Sequence, residues 1–128
     1  MFKLAGEMPH YVGETKDGCY HGKGCLTDEL GKYDGEWVDG WRSGKGVQIF
    51  KDGAIYDGEW NKNCFFGEGV LTEVSKIVFS GTFMGDKFVS GTVTLPSGKS
   101  SDVVDGSVLD PDVFAQIPKN EAEALNLK

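Results

Sequence analysis

The sequence predicts an all-β chain of successive antiparallel hairpins with a short helical tail at its C-terminal end. Three observations lead there. Glycine accounts for 19 of 128 residues, roughly twice the average usage of about 7%. Val and Ile together number 16 against 5 Ala, a bias toward strands. Tyr33-Asp34-Gly35-Glu36-Trp37 recurs as Tyr56-Asp57-Gly58-Glu59-Trp60, a shift of 23 residues. The glycines keep no every-third spacing and Pro occurs only four times, which excludes collagen. Leu, Ile, Val and Phe make up 32 residues, placing the chain above the disordered class. A helical bundle and a doubly wound α/β enzyme both fit this composition poorly.

The repeat extends in both directions. A Gly-x-Gly pair follows each motif, Gly44/Gly46 and Gly67/Gly69, again 23 apart. Phe79-Ser80-Gly81-Thr82-Phe83 continues the series, and Tyr11-Val12-Gly13-Glu14-Thr15 with Gly22/Gly24 precedes it. Four copies are expected near 11–32, 33–55, 56–78 and 79–100, within a β-sheet region spanning 1–109. The fourth is read as one residue short between Phe83 and Gly85, and Val104–Val108 as a weak fifth half-copy.

Each element has a local reason. Period 2 places Tyr33, Gly35 and Trp37 on one face and Asp34 and Glu36 on the other. A glycine between two aromatics offers their rings a flat backbone surface. Gly44 and Gly46 on the return strand leave room for neighbouring rings, and Val47 and Ile49 alternate with Gln48 as a half-buried strand. Gly40 and Asn63 occupy one hairpin position and are the residue types that best tolerate positive φ. Asp52-Gly53 and Ser97-Gly98 supply turns between repeats. A lone hairpin cannot bury its apolar face, so the copies must stack side by side. Met1–Leu4 is expected as an added edge strand or a loose end.

These residues resemble the MORN family (membrane occupation and recognition nexus), whose repeat reads approximately Tyr-x-Gly-x-Trp-x-x-Gly-x-x-x-Gly-x-Gly. The second copy carries the match at Tyr33, Gly35, Trp37, Gly40, Gly44 and Gly46, and His21-Gly22 matches a pair common in the family. Thr15 at a Trp position, Asn63 at a turn Gly and Val89 at a Gly depart from it. The resemblance implies a single-layered, twisted antiparallel sheet and names no partner.

At Asp110 the composition shifts, and 110–128 reads as a helical tail. Asp110 is an N-cap followed by Pro111, with Val113, Phe114 and Ile117 as an apolar stripe that Pro118 interrupts. Asn120 is expected to cap a last helix, with Glu123 three residues on and Leu125 and Leu127 as its contacts. The tail is expected to pack on the last hairpins and cover their edge; the competing reading has it contact another chain or lie in the groove. Any homodimer is expected to form through this end.

Net charge is −7, spread evenly along the chain, so nucleic acid and anionic lipid are not expected partners. The N-terminus lacks an apolar signal segment. Cys19, Cys25 and Cys64 form no C-x-x-C pair and read as reduced thiols of a cytoplasmic protein. Asp17, Cys19 and His21 fall close together, but in a hairpin turn whose equivalents in the next repeats differ, so they read as turn residues rather than a nucleophile pair. The Asp34/Glu36 and Asp57/Glu59 pairs read as a solvated face. The Gly-x-Gly pairs lack the third glycine and the helix of a dinucleotide site. No catalytic residue, metal ligand or cofactor is expected.

The aromatic face remains. Tyr11, Tyr33, Trp37, Tyr56, Trp60, Phe79 and Phe83 project in register from a sheet that has no evident second layer, with Trp41 and Phe65-Phe66 as a rim. Large apolar patches mark interaction sites, and Tyr and Trp dominate binding hot spots. The function expected is a non-enzymatic adaptor or scaffold gripping a partner protein segment in an aromatic groove, and the family resemblance places it in a cytoskeletal or ciliary assembly. The alternatives are a phosphoinositide or membrane-surface module, against which the missing Lys/Arg cluster speaks, and the repeat portion of a larger enzyme.

Overall fold

The computed structural model describes residues 9–128; the expectation for Met1–Leu4 lies outside them. Ten strands follow one another in a single antiparallel meander: β1 (His10–Lys16), β2 (Cys19–Asp28), β3 (Gly31–Val38), β4 (Trp41–Phe50), β5 (Ile55–Asn61), β6 (Cys64–Thr72), β7 (Val78–Met84), β8 (Lys87–Thr94), β9 (Ser100–Val104) and β10 (Ser107–Val108). The sheet is open and the fold is all-β. Two short helices, α1 (Pro111–Phe114) and α2 (Lys119–Ala124), complete it.

Within each repeat the hairpin turns on two residues of positive φ, as the right-handed strand twist favours. They are Asp17-Gly18, Asp39-Gly40, Lys62-Asn63 and Gly85-Asp86, and Asp105-Gly106 repeats the device between β9 and β10. Val104–Val108 is therefore a hairpin turn with its flanks and not the start of a fifth repeat. Between repeats, Gly53 and Gly98 donate their N–H groups to the Phe50 and Leu95 carbonyls, closing the expected turns.

The return strand of each repeat is longer than its partner. Between the Gly35–Gly46 and Trp37–Arg42 pairs, β3 advances two residues and β4 four. This bulge overturns the reading of Glu36 and Glu59 as solvated. Lys45 loses its ladder acceptor at the bulge, and its backbone N–H donates instead to Glu36 Oε1 at 2.7 Å. The same bond joins Glu68 N–H to Glu59 at 2.8 Å and Lys23 N–H to Glu14 at 2.6 Å. The first glycine of the Gly-x-Gly pair, Gly44 at φ +82°, passes under this carboxylate, where any Cβ would collide with Glu36. The second, Gly46, seats the Tyr33 ring.

In the fourth repeat the register shifts by one residue, not two, between Thr82–Ser90 and Phe83–Phe88. Gly85-Asp86 occupies the same turn as Lys62-Asn63. The missing residue therefore lies in the return strand before Gly91, and not between Phe83 and Gly85. Thr82 stands where the other repeats have the bulge-filling Glu, and the smaller bulge does not require one.

The tail packs on the aromatic face. Val113, Ile117, Ala122 and Leu125 join one core with Phe79, Phe88, Val93 and Val103. Asp110 caps α1 by accepting the Asp112 N–H, with Pro111 at the first helical position. Asn120 does not cap α2, which begins a residue earlier behind Pro118 without a side-chain cap. Lys128 exchanges two backbone hydrogen bonds with Gly106 and Val108 beside β10, so the last short strand is paired.

Gly46→Ala places a methyl group against the Tyr33 ring and is expected to destabilise by about 3 kcal/mol, the upper end for overpacking. Tyr33→Phe removes only one hydroxyl donor and is expected to cost about 1 kcal/mol. Urea midpoints order the two variants; a Gly46→Ala protein as stable as the parent would refute the ring-on-glycine packing.

Candidate functional site

The aromatic rings form a continuous zigzag. Tyr33 meets Trp37 edge-on at 5.0 Å and Trp60 of the next repeat at 5.2 Å; Tyr56 meets Trp60 at 5.1 Å and Phe83 at 5.2 Å. Tyr11 reaches Trp37 at 5.8 Å. The polar atoms are satisfied inside the array. The Tyr33 and Tyr56 hydroxyls donate to the Glu36 and Glu59 carbonyls, and Trp37 and Trp60 Nε1 donate to the Gly24 and Gly46 carbonyls of the preceding repeat. Burial pushes the Tyr56 phenol up to about 12 and raises that of Tyr33 as well.

Of the seven aromatics read as an uncovered face, Tyr33, Tyr56, Phe79 and Phe83 have no exposed surface, and Trp37 and Trp60 almost none. Only Tyr11 is half-buried. The rings cover one another edge to face, and the returning tail covers the far end. Trp41 and Phe66, read as rim, stand exposed on the opposite face; Phe65 lies in β6 and stacks on Tyr56 at 3.9 Å.

A cleft of about 340 Å³ opens between the sheet and α2. Its floor is Gln48, Phe50, Trp60, Phe65 and Leu71, with Leu125 and Ala124 from the tail as the far wall. Trp60 is the one residue of the expected seven that lines it. Arg42 and Asn63 close one end; Leu30, Asp52, Ala54 and Glu73 come from the turns at the other. Trp37 instead borders a shallower hollow with His21, Lys23, Glu36 and Ser43.

Two polar residues of the cleft escaped the sequence reading. Gln48, expected to face out between Val47 and Ile49, is 1% exposed, while Ile49 is 46% exposed. Register explains the inversion: Gln48 pairs with both Tyr33 and Tyr56 and so shares their face. Arg42 occupies the column held by Tyr20, Phe65 and Phe88 in the other repeats, a 22- to 23-residue spacing that was available as a signal. Its guanidinium lies 5.2 Å from the Tyr33 ring centre and 5.4 Å from that of Trp37, as a cation over aromatic faces. Nη1 donates to Asn63 Oδ1 at 3.2 Å and Nη2 lies 3.9 Å from Asp28, but buried Nε finds no partner among the described residues.

Asp17, Cys19 and His21, weighed above as a nucleophile group, lie outside the cleft. His21 Nδ1 accepts the Asp39 N–H within the hairpin tips, and Cys19 is exposed. Among the described residues no group of three or more metal-ligating side chains converges. Burial and the neighbouring Asp86 raise the Cys64 thiol pKa, the opposite of activation. One carboxyl is perturbed: burial first, then Glu121 and Asp52, push Glu73 up to about 7.

Arg42→Phe restores the ring that this column carries elsewhere and removes an unpartnered donor, so it is expected to match or exceed the parent in stability. Arg42→Ala leaves a void under Tyr33 and is expected to cost about 2 kcal/mol. Thermal melts separate the two; equal losses for both would show that the charge, not the packing, holds the site.

The MORN repeat family model matches residues 11–29, 33–55 and 56–72. The fourth copy, with Phe79 and Phe83 in place of Tyr and Trp and a shortened return strand, falls outside the match. MORN repeats are non-catalytic and commonly serve as protein- or membrane-interaction modules. Matched over three consecutive segments and folded as a meander of glycine-seated aromatic hairpins, the chain is a MORN-repeat protein.

Proposed function

We propose that this protein is a non-enzymatic adaptor or scaffold that holds a segment of a partner protein in the cleft between its sheet and its C-terminal helix. The observation that carries the reading is the cleft floor: Phe50, Phe65 and Leu71 line an opening of drug-ligand dimensions with Leu30, 56% exposed, at its mouth. The fully buried rings, Tyr33 and Tyr56 among them, act as the rigid wall behind the contact surface. Rigid aromatic walls lower the ordering cost of binding. A cytoplasmic cytoskeletal or ciliary assembly is the setting we propose for this adaptor.

A photo-crosslinking amino acid at Leu30, in cells, is expected to trap a partner protein, while the same group at Val70 on the opposite face traps none. With that partner in hand, Phe50→Ala is expected to weaken binding by about 2 kcal/mol, roughly thirtyfold, measured by calorimetry below the melting transition. Crosslinks from Val70 alone would move the site to the other face.

The chain carries −7 net charge and no basic cluster, so the purified protein is expected to ignore phosphatidylserine and phosphoinositide vesicles at physiological salt. Saturable, salt-sensitive vesicle binding would favour the membrane-module reading instead.

A further inference from the structure

We propose that the partner segment presents a Lys or Arg side chain beside an apolar one, the apolar group on the Phe50–Phe65 floor and the cation between Asp52 and Glu73. This deepens the adaptor reading and rests on it.

The charge balance of the cleft is the reason. Two carboxylates line one end of it, Asp52 from the β4–β5 turn and Glu73 from the β6–β7 turn, while Asp86, in the β7–β8 hairpin tip, lies at the other end with Arg42 and Asn63. Glu121 of α2, 8% exposed, stands behind Glu73 and accepts the Ser75 hydroxyl at 2.7 Å. Arg42 is the one cation lining the cleft among the described residues. Its charge is directed elsewhere, toward Asp28, Asn63 and the Tyr33 and Trp37 rings. Asp52 Oδ1 accepts the Ala54 N–H, which fixes that carboxylate in place. An unbalanced set of acids held over an apolar floor complements a cationic side chain with an apolar neighbour, and repels an acidic one.

Glu73 reports the same imbalance. Burial first, then its negative neighbours Glu121 and Asp52, push its carboxyl up to about 7. A raised carboxyl pKa means that the free protein holds a proton there at neutral pH, and an arriving cation favours its release. Binding of a basic segment therefore tightens as pH rises from about 6 to about 8.

The test uses three labelled peptides of about 14 residues, amphipathic and built from Leu with Lys, Gln or Glu, titrated at about 0.15 M salt with amide spectra mapping the contact. The Leu/Lys peptide is expected to perturb cleft residues and to bind the parent roughly tenfold more tightly than the Leu/Gln peptide. It is also expected to bind the D52N/E73Q variant roughly tenfold more weakly than the parent. D34N/D57N, with as many carboxylates removed but on the opposite face, is expected to keep the parent affinity, which separates local complementarity from overall charge. Glu73→Gln alone removes the rise with pH. If Leu/Gln or Leu/Glu peptides occupy the cleft as tightly as Leu/Lys, the cationic requirement is wrong while the adaptor reading stands. If no peptide perturbs cleft residues, the cleft reading itself fails. The peptide series on the parent protein decides the matter even if the double variant does not fold.

Discussion

Everything in this fold depends on a tyrosine ring lying flat over a glycine of the neighbouring strand. Tyr33 over Gly46, Tyr56 over Gly69 and Tyr11 over Gly24 are one contact made three times, and any Cβ at those glycines would enter the ring. Once the ring lies down, its edge is presented to the Trp of its own repeat and to the Trp or Phe of the next, at centroid separations near 5 Å. Edge-to-face pairs of this kind contribute about 1 kcal/mol each beyond their buried area. Each repeat shares its rings with both neighbours, so a single-layered sheet acquires a core without a second sheet.

The same packing explains the polar chemistry along the strand. Trp60 Nε1, buried inside the array, needs an acceptor and takes the Gly46 carbonyl, so Gly46 seats one ring and satisfies another. The return strand must bulge around the rings, and the bulge frees a backbone N–H that the Glu of Tyr-x-Gly-Glu-Trp captures. A residue that looks like surface charge is thus a structural ligand of the backbone. Where Thr82 replaces it, the bulge shrinks and the register shift falls from two residues to one.

Much of this was legible in the sequence, because it depends on local chemistry repeated at a fixed interval. The 23-residue spacing gave the strand order, the Gly40/Asn63 column gave the hairpin turns, and Asp110-Pro111 gave the start of the first helix. What stayed hidden required knowing which strand bulges. Strict alternation misplaced Glu36 and put Gln48 outside, since one pairing register decides a whole strand's faces. Arg42 was overlooked because it interrupts an aromatic column visible only once the return strands are aligned. The cleft was beyond reach altogether: its far wall is Leu125, and no periodicity relates a tail residue to strands seventy residues earlier.

The position of the cleft follows from where the repeat decays. In the fourth repeat Phe79 and Phe83 lack the hydroxyl and indole donors, and the tail replaces the missing repeat by laying Val113, Ile117 and Leu125 over that end. The helix reaches the third repeat only at its edge, where Glu121 accepts the Ser75 hydroxyl. Phe50, Phe65 and Leu71 therefore meet the helix on one side and solvent on the other. The turns that follow the second and third repeats reach this boundary and bring Asp52 and Glu73 to it together. The irregular end of the array creates an unfilled, acid-rimmed opening that four identical repeats would not contain.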